Sequence, residues 1–273
     1  MNNRESSRLK FVTNASYVLA AAAAMLMTLT NIVFYAASAA SHSSKSAAEA
    51  LWVANNDGNF ISEFANGALD SSGIPAPNRI NLSSNLNEPW GIVFDSSKDL
   101  WVSNVGNGTL TKFTFSQLKA LNKNQVPVAK VVISGLDRPE GMAFDKKHNL
   151  WVANEGNGEL LEFTSKQLKK SGSPVPTTTL SSSDLSSPVG IAFDSTGGIW
   201  VGDDHLNDVA MFTAAQLKEG GTQSATVLLT DDGSGSLDTP EPVAFDADGS
   251  LGSPTTLIQF CSSEPWSNFR LVN

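Results

Sequence analysis

The chain has 273 residues, 41% hydrophobic and only 16% charged, with a formal net charge of −9. That acidic balance argues against nucleic acid or an anionic membrane as a partner, and suits a cationic ligand, a bound divalent ion or simple solubility. Cys261 is the sole cysteine, which rules out an intrachain disulfide.

In chain order, the first element is a leader. Arg4, Arg8 and Lys10 precede an uncharged, largely apolar stretch from Phe11 to Ala40, and Ala37-Ser38-Ala39 supplies small residues of the kind signal peptidase cleaves. The run from Tyr17 to Ala37 also reaches the length that spans a bilayer. Residues 1–40 are therefore read as a signal peptide or an N-terminal membrane anchor, the basic end staying in the cytoplasm. Either way the remainder is extracytoplasmic, and membrane contact runs only through this segment. Without residues 1–40 the net charge becomes −11. Residues 41–50 read as a Ser- and Ala-rich linker. About 230 residues follow the leader, enough for one domain with a substantial core.

Residues 51–251 repeat. Trp52, Trp101, Trp151 and Trp200 are spaced 49, 50 and 49 residues apart, heading LWVANNDGN, LWVSNVGNG, LWVANEGNG and IWVGDDHLN. GIVFD (Gly91 to Asp95), GMAFD (Gly141 to Asp145) and GIAFD (Gly190 to Asp194) precede the last three, and a degraded PVAFD runs from Pro242 to Asp246. Between Pro89 and Leu136, four β-rich runs are bounded by Gly, Asn, Asp, Ser or Pro. The short FD-to-Trp connection and the Asn/Gly-rich one after it suit hairpins. The Gln-Leu-Lys triplets at 117–119, 167–169 and 216–218 predict one helical turn between the third and fourth strands. One four-stranded antiparallel sheet per period of this length is the blade of a β-propeller. The expected fold is thus all-β, with about four blades represented. The repeated Trp and Phe are expected to fill the gaps between adjacent blades.

The phrase P-x-G-(I/M)-(A/V)-F-D-(x)4–5-(L/I)-W-V-x-(N/D) resembles the NHL-type repeat, and is similar to propellers of the gluconolactonase-like and streptogramin-lyase-like groups. The likeness spans Leu51 to Asp248 and specifies fold more than function. In gluconolactonase-like relatives, side chains from the starts of inner strands hold a metal ion. The matching positions are Trp90, Glu140, Val189 and Glu241, of which only two are carboxylates. A divalent cation such as calcium, held by Glu140 and Glu241, is what this resemblance implies. His42, His148 and His205 do not form the histidine pattern of the streptogramin lyases.

The fifth repeat begins at Leu237 and stops after Leu251, where Trp-Val-Ala-Asn is due and Gly252-Ser253-Pro254-Thr255 stands instead. One inserted T before GGN-TCN-CCN-ACN restores Trp and a Val-, Ala- and Asn-compatible run. Residues 252–273 are accordingly read as an aberrant tail, a frameshift in preference to a diverged natural terminus. The first repeat is expected to lack its inner strand and the fifth to have little else. An arc of a larger propeller follows, in preference to a tight four-blade ring.

The loop entering strand one and the loop after strand two share a face in such a blade. That face gathers Glu88, Trp90, Asn104, Asn107, Glu140, Asn154, Glu155, Asn157, Asp203, Asp204, His205, Asn207 and Glu241. Amides and carboxylates there could bind a polar ligand or a cation. Satisfying turn amides is the ordinary role of Asn104 and Asn154. Glu140 and Glu241 have no turn role, and His205 alone among the histidines lies on this face. Asp246-Ala247-Asp248-Gly249 aligns with hairpin turns instead of a calcium loop. No Ser-His-Asp order, nucleotide-binding glycine loop or zinc spacing is visible. The expected function is an extracytoplasmic, non-catalytic module binding a ligand or protein. A metal-dependent lactonase and a structural surface protein are the alternatives.

Overall fold

The computed structural model describes residues 32–33, 50–65, 79–80, 85–120, 127–233, 235, 237–241 and 243–245. The leader apart from Ile32–Val33, the linker before Ala50, Cys261, Asp246 to Gly249 and the 252–273 tail lie outside them. Among the described residues no helix is long and apolar enough to cross a membrane.

Four antiparallel sheets follow one another along the chain. The first holds β1 (Ile32–Val33), β2 (Ala50–Asn55), β3 (Phe60–Ala65) and β4 (Arg79–Ile80). The second holds β5 (Pro89–Phe94), β6 (Leu100–Asn104), β7 (Thr109–Phe113) and β8 (Val131–Ser134). β9 (Pro139–Phe144), β10 (Leu150–Asn154), β11 (Glu159–Phe163) and β12 (Thr178–Ser181) build the third. The fourth has β13 (Pro188–Phe193), β14 (Ile199–Asp203), β15 (Asp208–Phe212) and β17 (Val227–Thr230). The two-residue β16 (Gly221–Thr222) lies between β15 and β17 in the chain and joins the third sheet as a fifth, parallel strand beside β12. These are propeller blades in an open arc: β2 packs on β5, β5 on β9 and β9 on β13, and among the described residues the sheets do not close into a ring.

One expectation is corrected. The first sheet has an inner strand, because Ile32 pairs with Asn55 and Val33 with Ala54. Ile32-Val33-Phe34 reproduces the Ile-Val-Phe of GIVFD but lacks the flanking proline, glycine and aspartate that mark the other copies.

The repeated phrases have distinct mechanical roles. The FD aspartate organises the first hairpin. In the fourth blade, Asp194 Oδ1 accepts from the Thr196 and Gly198 amides, while Oδ2 accepts from Trp200 Nε1 at 3.1 Å. Asp95 repeats this with Ser97, Asp99 and Trp101. Burial raises the Asp194 pKa, but donors from Thr196, Trp200 and Gly198 outweigh it, so the carboxylate ends below its usual range. The tryptophans then fill the gaps between blades. Trp52, Trp151 and Trp200 meet Phe94, Phe193 and Phe245 of the following unit edge-to-face, at 5.8, 6.5 and 6.0 Å.

The core is accordingly a series of seams. Ile61, Leu100 and Phe113 lie in the first, Leu110, Leu150 and Phe163 in the second, and Leu160, Ile199 and Phe212 in the third. A fourth seam, with Trp200, Val209 and Val243, shows the start of the fifth repeat seated on the fourth blade. The Gln-Leu-Lys triplets fall in α1 (Phe115–Ala120), a 3-10 turn (Gln167–Lys169) and α2 (Ala214–Glu219). Thr213 and Gln216 form a capping box, and the same glutamine donates to the Ser224 carbonyl, tethering the run to β17.

Candidate functional site

In the second, third and fourth blades the inner strand opens on Pro-x-Gly, and there the ladder slips. β5 pairs Pro89 with Asn104 and then Ile92 with Val102, so Trp90 and Gly91 together face Ser103. The same bulge places Glu140 in β9 and Val189 in β13. A bulge re-aims one side chain out of the pleat, which singles out the x position of each blade. The glycine permits close approach: a Cβ on Gly91 would lie 2.4 Å from the Glu140 carbonyl oxygen, and one on Gly141 would lie 2.2 Å from that of Val189. Ser103 ties the two strands, accepting from the Gly91 amide at 2.7 Å and donating to the Glu140 carbonyl at 2.6 Å.

The loops that frame the bulges meet as the sequence predicts. The amides of Val105, Glu155 and Asp204 donate to the carbonyls of Glu88, Arg138 and Ser187. Glu88 and Arg138 have φ of 47° and 49°, a left-handed conformation that non-glycine residues adopt at a cost. Asn59 of the preceding blade helps to hold the first, its Oδ1 accepting from the Glu88 amide at 2.6 Å.

The predicted site residues separate into two groups. Asn104, Asn154 and Asp203 are buried and committed to loops. Asn104 Oδ1 accepts from the Asn87 amide, Asn154 Oδ1 from Asp137, and Asp203 Oδ2 from Ser186 and Ser187. Their groups stand beneath the face and support it.

Glu140 belongs to the second group. Its side chain is 4% exposed, and its Oε2 is buried without a hydrogen-bond partner. Burial first, then the negative charges of Glu155 and Asp204, push its pKa up to about 9, with Arg138 opposing and Glu241 adding to the rise. Glu140 is thus a neutral acid at pH 7, able to donate a proton in a hydrogen bond. Asp204 is also raised, by burial and by Asp203. Trp90 is half-buried, with its Nε1 unpartnered. Glu241 is half-buried at the start of the fifth unit, and His205 is exposed beside Asp204.

Arg138 was absent from the predicted site. It pairs with Glu155 through Nε and its charge acts on Glu140. Its position before the repeated proline, where Glu88, Ser187 and Thr239 also stand, is the signal that could have found it.

The donor set does not fit the metal centre that the family resemblance implies. Trp90 and Val189 carry no metal-ligating atom, and among the described residues no group of three or more His, Cys, Asp or Glu side chains could hold a metal ion.

The fold is a β-propeller arc. Residues 86–113 match the NHL repeat. No curated protein matches the chain. Among solved structures, the chain is similar to a catalytically inactive virginiamycin B lyase from Staphylococcus aureus with quinupristin, at 15% identity and a TM-score of 0.52, covering 78% of this chain and 60% of that one. A 6-phosphogluconolactonase-like protein from Bacteroides uniformis aligns at 12% identity and a TM-score of 0.53, again over 78% and 60%. A functionally unknown protein from Desulfotomaculum acetoxidans gives 13%, 0.51, 77% and 59% for the same four quantities. Identities this low speak for fold alone. The chain spans about three-fifths of the length of each of these structures.

Proposed function

We propose that this chain is an extracytoplasmic, non-catalytic binding module that takes a polar or cationic ligand, or a protein bearing such a group, on the face around Glu140. The observation that carries the reading is the buried Glu140 Oε2 with no partner, together with the equally unpartnered Trp90 Nε1 at the equivalent position of the preceding blade. A buried polar atom without a hydrogen bond costs about 1–3 kcal/mol, and a ligand that supplies the bond recovers it. Glu155, Asp204 and Glu241 add negative charge around the same point, which favours a cationic group. The extracytoplasmic setting rests on the basic and then apolar order of the residues that precede β1, from Arg4 to Thr30.

Calorimetric titration of the purified protein with a panel of amines and divalent cations tests the reading. Saturable binding should fall at least tenfold in Glu140→Gln. Stoichiometric divalent metal, lost in both Glu140→Gln and Glu241→Gln together with lactone hydrolysis, would replace it with a metal-dependent hydrolase. Neither ligand nor metal would leave a structural surface role.

A further inference from the structure

The blades extend one another at their rims. After its helical turn, the third blade sends a segment back to the outer strand of the second. The Gly172 amide donates to the Val132 carbonyl at 3.0 Å, and the Ser134 amide donates to the Gly172 carbonyl at 2.9 Å, a parallel bridge opposite Ile133. The fourth blade does the same to the third: β16 lies parallel to β12, Gly221 opposite Leu180 and Thr222 opposite Ser181. The Gln223 amide then donates to the Ser181 carbonyl at 2.9 Å. In both places a hydroxyl pair follows the glycine, Ser134 with Ser173 at 2.8 Å and Ser181 with Thr222 at 3.2 Å. Ile133 and Leu180 are 0% exposed.

The fourth blade carries the same acceptor pair. Leu229 faces Val209 as Leu180 faces Leu160, and Thr230 faces Asp208 as Ser181 faces Glu159. Yet among the described residues β17 ends its sheet, with Leu228 42% and Leu229 40% exposed. An edge with apolar side chains exposed is a template for strand addition.

We propose that the β17 rim is a docking site for an extended segment of another protein chain in which glycine precedes serine or threonine. The segment lies parallel to β17, glycine opposite Leu229 and hydroxyl opposite Thr230. The occupant's chemistry comes from Gly172-Ser173 and Gly221-Thr222, which fill the two equivalent positions inside this molecule. Glycine suits the place because Gly221 adopts a φ of 69°.

The test uses the full chain and a synthetic peptide copying residues 218–224, read by amide hydrogen exchange. Millimolar peptide should slow exchange of residues 227–230 severalfold. A peptide with proline in place of the Gln223 copy, lacking the donating N–H, should not. A Leu229→Lys chain should lose at least tenfold in peptide affinity. Absence of slowing, equal slowing by the proline peptide, slowing only at β8 or β12, or indifference to Leu229→Lys would each overturn the proposal.

Discussion

Glu140 sits where its backbone is fixed by Ser103 and its side chain is walled in among other acids, so its protonation follows from position. Folding raises its pKa from an ordinary value of 4.5 to about 9. Between those values the folded chain holds a proton that the unfolded chain releases. This group therefore makes stability fall as pH rises through that window, and its effect levels off above it. Glu140→Gln removes the titration, so thermal unfolding at pH 5 and pH 8 should show a smaller drop in Tm than in the parent chain. An identical drop would mean that Glu140 is ionised in the folded state. The position of this residue was legible in the sequence from the P-x-G register. Its neutral state was not, because that depends on the bulge and on Glu155 and Asp204 arriving from a different loop and a different blade.

At the level of single elements, the hairpin closed by Asp194 shows why the FD-to-Trp spacing repeats. One carboxylate serves two turn amides, the Thr196 hydroxyl and the Trp200 ring, all within one connection. Asp194→Ala strands these donors and should destabilise the protein by about 3 kcal/mol, measured by denaturant unfolding. A change below about 0.5 kcal/mol would show that solvent replaces the carboxylate. Such turns and the Trp-headed strands were readable because each phrase encodes a local job, burial or turn closure. β16 was not, since Gly221-Thr222 has no strand signature of its own and pairs because the neighbouring blade offers an edge. β1 escaped for a related reason: its residues sit in an apolar stretch whose composition reads as a leader.

Across the whole molecule, cohesion comes from the seams. Trp151 is 3% exposed and lies at the boundary between the third and fourth blades, against Phe193. Trp151→Ala should cost about 3–5 kcal/mol in global unfolding. The matching change at Trp52, which is half-buried in the first seam, should cost less by the same measurement. Equal losses would show that the seams do not act separately. The open arc gives this a further meaning. In a closed ring every blade is gripped from both sides, so no blade can leave alone. Here, among the described residues, the chain is a row of books with no bookend at its first blade, and opening can start there without disturbing the middle. The architecture thus places its most persistent structure around Glu140, between the second and fourth blades, and leaves its outer members as the part that yields first.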